Sequence, residues 1–151
     1  MQFSRIKHFL FTAFLATTLV SCYDNVISSI PDYPVNLQLN LTTTYPTFRN
    51  SVNQFLLFET RIKENDRVGF GGILVNTGFD GNYYAFDMAC PYEAKYNVRV
   101  YPNEIGQAVC ESCGSVFNIA FGNGDPISGP AAETLKRYRT MLSGDMLYIS
   151  R

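Results

Sequence analysis

Residues 35–41, VNLQLNL, alternate apolar and polar side chains along their whole length. A period of two places successive side chains on opposite faces of an extended chain, so one face can be buried while the other meets solvent. Further short apolar runs, among them QFLLFET, GGILVNT and MLYIS, are separated by turns that contain Gly, Asp, Asn or Pro. The sequence therefore predicts short antiparallel strands joined by frequent turns.

The composition agrees with a β protein. The chain contains 10 Tyr and 12 Phe among its 151 residues, and aromatic side chains favour strands. NVRVY with QAVC, and RYRTML with MLYIS, read as two hairpins, whereas AAETLK at 131–136 is the one short helix candidate. The predicted fold class is all-β, a small antiparallel sandwich or partly open barrel in a single domain.

The first residues have the order of a secretory signal. Arg5, Lys7 and His8 precede an apolar run over 9–20, which is short for a membrane span. The run ends in Leu-Val-Ser-Cys, which resembles the bacterial lipobox, so Cys22 is the predicted site of lipidation. We therefore expect a signal peptide over 1–21, a polar tether over 22–29 and a folded domain over 30–151.

This targeting segment limits the function of the mature chain. Lipidation at Cys22 would anchor the protein to the inner or outer membrane of a bacterial cell envelope. His8 is the only histidine and would be lost with the signal, so the sequence predicts no catalytic imidazole and no catalytic residues. Because the formal net charge is −1, the chain lacks the basic surface that nucleic-acid binding requires.

Three cysteines remain in the predicted domain. Cys110 and Cys113 form a C-x-x-C on a predicted turn, a spacing that lets two thiolates bind one metal ion. Cys90 ends another predicted strand, so we expect two loops that face each other and bring the three cysteines together.

The order of these features resembles the Rieske iron-sulfur domains, which carry C-x-H in one loop and C-x-x-H-G in another. The matching segments here are CPY at 90–92 and CESCG at 110–114, followed by SGPA at 128–131. The resemblance runs from about Gly69 to the C-terminus and does not cover PVNLQLNLTTTYPTF at 34–48, which we predict to form an additional strand or two on the same sheet system. It implies a cluster-binding subdomain of two facing loops and, by family, a [2Fe-2S] cluster held by Cys90, Tyr92, Cys110 and Cys113.

The departures from that family concern the ligands. Tyr92 and Cys113 occupy the two histidine positions, so a true Rieske centre, in which two histidines bind one iron, is not expected. The signal also lacks the adjacent arginine pair of the route that exports folded proteins with their clusters. Without histidine ligands, an atypical [2Fe-2S] cluster would lack the proton coupling that imidazoles provide.

Three interpretations of the cysteines stay open. The first is the atypical cluster, and the second is a structural zinc site formed by Cys90, Cys110 and Cys113 with Glu93 or a water as fourth ligand. The third, which the sequence favours, has no metal and a disulfide between two of the three cysteines, because exported proteins permit such bonds.

The sequence thus predicts a lipid-anchored protein with a Rieske-like domain that is not an enzyme. The alternatives are an electron-transfer module with an atypical cluster and a domain with structural zinc. The expected partners are the membrane, through Cys22, and either an envelope protein or a redox partner.

Overall fold

The computed structural model describes residues 28–151. The predicted signal peptide over 1–21, Cys22 and most of the predicted tether lie outside these residues. Within the described part of the chain, no helix is long and apolar enough to cross a membrane.

Residues 28–151 form eleven strands and one short helix. The strands are β1 Val35–Asn40, β2 Phe55–Phe58, β3 Arg67–Val68, β4 Ile73–Thr77, β5 Tyr83–Asp87, β6 Val100–Pro102, β7 Gln107–Cys110, β8 Val116–Asn118, β9 Asp125–Ser128, β10 Arg137–Ser143 and β11 Met146–Ser150, and the helix α1 is Pro46–Arg49.

The strands build two antiparallel sheets, and the prediction of an all-β antiparallel fold is confirmed. The larger sheet has the order β2-β4-β5-β10-β11-β1-β3 and is nearly closed on itself, whereas the smaller one has the order β6-β7-β8-β9. Strand β10 links two parts of the larger sheet, because its first residues pair with β5 and its later residues pair with β11. The smaller sheet carries two loops of the candidate site, one between β7 and β8 and one after β9.

Strands β4 and β5 are buried on both faces. Ile73 and Val75 point into a core with β1 and β11, whereas Leu74 points into a second core. Phe86 also belongs to the second core, together with Cys90, Cys110 and residues of the smaller sheet. This double burial explains the uninterrupted apolar run Ile73, Leu74, Val75 within GGILVNT, in contrast to the alternation of β1, whose second face meets solvent.

Two local differences from the sequence prediction have identifiable causes. AAETLK does not form a helix, because the Leu135 N–H donates to the Gly124 carbonyl (2.9 Å) and its side chain is buried. The segment after β1, predicted as further strand, instead turns at Asn40, whose side-chain oxygen accepts from the two N–H groups at 42 and 43. It then forms the single turn of α1, which has Pro46 in its first turn.

One buried carboxylate joins several of these elements. Asp87, at the end of β5, accepts hydrogen bonds from the N–H groups of Phe70 (2.8 Å), Gly71 (2.9 Å) and Ala89 (2.8 Å) and from the Tyr138 hydroxyl (2.5 Å). Burial raises the pKa of Tyr138, and the nearby Asp87 carboxylate raises it further, so the phenol stays protonated as a donor. The network fixes the path of the chain just before Cys90.

We expect Tyr138→Phe to lower the free energy of unfolding by about 1–3 kcal/mol, because it removes one donor from a buried carboxylate. Urea denaturation measures this change. Tyr148→Phe is the matched control, since Tyr148 is partly buried and is not one of the donors to Asp87, and its effect should stay within about 0.5 kcal/mol. Equal losses in the two variants would contradict the role of Asp87.

Candidate metal centre

The first loop follows β5 and begins at Cys90. The Cys90 N–H donates to the Val98 carbonyl (2.9 Å), and the Ala94 N–H closes the turn on the Cys90 carbonyl (2.9 Å). Ala94 adopts a positive φ of 49° to complete this turn. Burial raises the pKa of Cys90, and the backbone N–H groups of Glu93 and Tyr92 lower it, which offsets part of the effect of burial.

The second loop connects β7 to β8 and carries the other two cysteines. Cys110 is the last residue of β7, and its backbone N–H pairs with the Ser115 carbonyl (2.9 Å). The Gly114 N–H donates to the Cys110 carbonyl (2.9 Å), and Gly114 has a positive φ of 73°, which glycine adopts without steric cost. This tight turn directs Cys113 toward the first loop.

A third loop, at 128–131, supports the second. The backbone at Gly129 approaches Ser115 so closely that an added Cβ would lie 2.5 Å from the Ser115 Cα. The buried Ser115 hydroxyl accepts from the Ala131 N–H (3.1 Å) and lies 3.1 Å from the Cys113 Sγ. Sequence reasoning missed Ser115, for which the one available signal was a hydroxyl residue directly after the glycine of CESCG.

The three cysteines converge on one point. Their Sγ atoms all lie within 4.8 Å of one another, and those of Cys90 and Cys113 are 3.6 Å apart. Thiolates that share one tetrahedral zinc ion at about 2.3 Å are about 3.8 Å apart. A disulfide would instead require about 2.0 Å, and all three are free thiols in this structure. The three sulfur atoms are therefore close enough to bind a metal ion.

The thiols differ in their environment. Burial raises the pKa of Cys90 to about 12, since the interior disfavours a thiolate. Cys113 is partly exposed; burial raises its pKa, but its contacts with the Ser115 hydroxyl and backbone outweigh burial, and the pKa lies below its usual range. Cys113 thus forms the solvent-facing side of the centre, whereas Cys90 and Cys110 form its buried floor.

Tyr92 and Glu93 are the two other predicted ligands. The Tyr92 side chain is 56% exposed. The Glu93 carboxylate accepts from the Ser112 hydroxyl (3.1 Å) and lies 3.6 Å from the Lys95 ammonium. The group of side chains that can share one ion in the described part of the chain consists of the three cysteines without Glu93.

Two solved structures are similar to this chain in overall shape. A chain from a complex of reduced oxygenase and oxidized ferredoxin in carbazole 1,9a-dioxygenase matches 75% of this chain and 99% of its own length, with 14% identity and a TM-score of 0.48. The ferredoxin of carbazole 1,9a-dioxygenase from Nocardioides aromaticivorans IC177 matches 77% of this chain and 95% of its own length, with 16% identity and a TM-score of 0.46. Similarity at this level indicates neither a cofactor nor a partner for this chain.

Comparison by sequence gives no match. No protein-family model and no curated protein matches this chain.

The residues present do not fit the [2Fe-2S] ligand set that the Rieske resemblance implies. Such a cluster needs two protein ligands on each of two irons, so ligands of different irons lie at opposite ends of the cluster. Here three thiol groups gather within 4.8 Å, and Tyr92, the residue at the fourth ligand position, is exposed. The arrangement suits a single thiophilic ion better than a two-iron cluster.

We expect Gly129→Ala to destabilise the domain because the added Cβ would strike the backbone of Ser115. Strain at its positive φ costs about 1–2 kcal/mol, and the steric overlap adds about 1–3 kcal/mol. Gly144→Ala is the matched control, since it also has a positive φ but no atom within 4 Å of the added Cβ. Urea denaturation should show the larger loss for Gly129→Ala, and similar losses would contradict the close packing of the second and third loops.

Proposed function

We propose that this protein is an exported lipoprotein, anchored through Cys22, whose domain binds one metal ion through Cys90, Cys110 and Cys113. The observation that carries the proposal is the convergence of three sulfur atoms within 4.8 Å. Zinc is the proposed ion, because it takes thiolates at tetrahedral spacing and has no redox chemistry of its own. Water or a ligand from outside the chain would fill the fourth position.

The chemistry of the surrounding residues supports a binding role and not an enzymatic one. The Ser115 hydroxyl and the backbone N–H groups of Tyr92 and Glu93 interact with sulfur atoms, which orients the ligands and tunes them as outer hydrogen bonds do. The sequence after the predicted signal contains no histidine, so no imidazole is available there as a general acid or base. We therefore propose a non-enzymatic metal-binding domain of the cell envelope.

We expect about one zinc ion per chain when the protein is purified from membranes without chelator and its metals are measured by mass spectrometry. Cys113→Ser removes a ligand, so its affinity for zinc should fall by more than the roughly 10–100-fold that loss of an outer hydrogen bond causes. Ser112→Ala is the matched control, because its hydroxyl binds Glu93 and is not part of the sulfur group. Competition with a zinc chelator measures both affinities.

Two other results of this measurement would overturn the zinc site. Iron and acid-labile sulfide in equal amounts, with visible absorption bands, would identify a [2Fe-2S] electron-transfer protein instead. Fewer than three free thiols after Cys22 is accounted for, with no metal, would identify the disulfide that the sequence favours.

We expect Cys22→Ser to move the protein from the membrane fraction to the soluble fraction of lysed cells, because the lipid is attached through this thiol. Ser21→Ala, which keeps a small residue before the predicted cleavage point, should remain in the membrane fraction. A Cys22→Ser chain that stays with the membranes would show that the anchor lies elsewhere.

A further inference from the structure

The chain enters the folded domain beside the first cysteine loop. The Ser29 hydroxyl donates to the Pro91 carbonyl (2.7 Å), and the Ser29 N–H donates to the Glu133 carboxylate (2.9 Å). Ile30, the next residue, is buried. The chain therefore enters the folded domain next to the first cysteine loop.

The length of chain between the anchor and the domain limits how the domain sits on a membrane. Six peptide steps separate Cys22 from Ser28, and at a maximum of about 3.6 Å each they span about 22 Å. A compact domain of this size is about 35 Å across. The end of the domain opposite Ser28 therefore lies too far from the anchor to rest on the bilayer.

The face near Ser28 presents aromatic side chains to the outside. Tyr33 lies 5.3 Å from Phe70, and Phe70 lies 6.4 Å from Tyr96, measured between ring centroids. Tyr96 is 62% exposed, and Tyr92 beside Cys90 is exposed as well. We call these four residues the aromatic face. Tyrosine combines an apolar ring with a polar hydroxyl, which suits it to the level of lipid headgroups.

The charges of the first loop do not oppose contact with a bilayer. Glu93 and Lys95 lie 3.6 Å apart and offset each other's charge. The loop therefore presents no excess of negative charge to anionic lipids, which would repel it.

A second exposed apolar group lies at the other end of the molecule. Phe79 lies in the turn between β4 and β5, and Ile105 lies in the turn between β6 and β7. Cys90 lies beyond the far end of β5, and Cys110 lies at the far end of β7. Phe121 packs near Phe79, with ring centroids 6.2 Å apart. This group is at the end opposite Ser28, so the short tether prevents it from reaching the membrane that holds the lipid.

We propose that the aromatic face and the first cysteine loop lie against the headgroup region of the membrane that holds the lipid, so the metal centre faces the bilayer. This orientation rests on the lipid anchor at Cys22 proposed above. It places Cys113, the partly exposed side of the centre, on the membrane-facing side of the domain. The opposite end, with Phe79, Ile105 and Phe121, points away from the membrane.

The absence of tryptophan from the chain allows a direct test with single tryptophan probes. Tyr96→Trp reports on the aromatic face, and Phe121→Trp, whose native residue is 56% exposed, is the matched control at the opposite end. Each full-length lipoprotein is reconstituted in phosphatidylcholine vesicles, with and without phosphatidylcholine brominated near the headgroup end of its acyl chains. Fluorescence intensity and emission wavelength are then measured.

We expect the brominated lipid to reduce the fluorescence of Tyr96→Trp by roughly half or more and to leave Phe121→Trp nearly unchanged, because indole rings settle at the lipid interface. The emission of Tyr96→Trp should also move to shorter wavelength on reconstitution. If the protein floats with the vesicles but Phe121→Trp is quenched as strongly as Tyr96→Trp or more strongly, the proposed orientation is wrong. The proposed lipid anchor is then still supported. If the lipidated preparation does not float with the vesicles, the proposed lipid anchor at Cys22 is wrong, and so is the orientation that depends on it.

Discussion

The position of the three-cysteine site depends on the buried carboxylate of Asp87. Without partners, a carboxylate in this location would be strongly destabilising, but four donors from three parts of the chain satisfy it. The same network explains two glycines of GFGG at 69–72, since an added Cβ would lie 2.9 Å from the Asp87 Oδ2 at Gly69 and 2.5 Å from the Ala89 nitrogen at Gly71. Cys90 lies three residues after Asp87 in the chain, so this network fixes the position of Cys90.

The strands could be predicted where burial produces a simple pattern. In β1, one face is buried and the other is exposed, and the alternation is visible in the sequence. Strand β4 is buried on both faces, so its apolar run indicates a strand only through its length and β-branched residues. The two-residue strand β3 and the single turn of α1 have no periodicity, because they are too short to repeat.

The candidate site could be predicted in part, for a related reason. The C-x-x-C spacing places two sulfur atoms on one turn, and a strand that ends at Cys90 supplies the third. The direction of Tyr92 and Glu93 depends instead on the backbone of the first loop, including the positive φ of Ala94, which no residue type there signals. Ser115 was missed because a serine after a glycine is common in ordinary turns, and its role depends on contacts with the distant third loop.

Burial of Cys90 and Cys110 links the three interpretations of the site to a single physical requirement. Thiolates buried without a cation would be costly, so these sulfur atoms must remain protonated, form a disulfide or bind a metal ion. A disulfide would satisfy two of the cysteines and leave the third, whereas one ion satisfies all three from a common centre. The mutual spacing within 4.8 Å is close enough for a shared ion. The three interpretations therefore differ in how they satisfy three sulfur atoms that lie close enough to share one ion, with Tyr92 and Cys113 at the two histidine positions of the Rieske pattern.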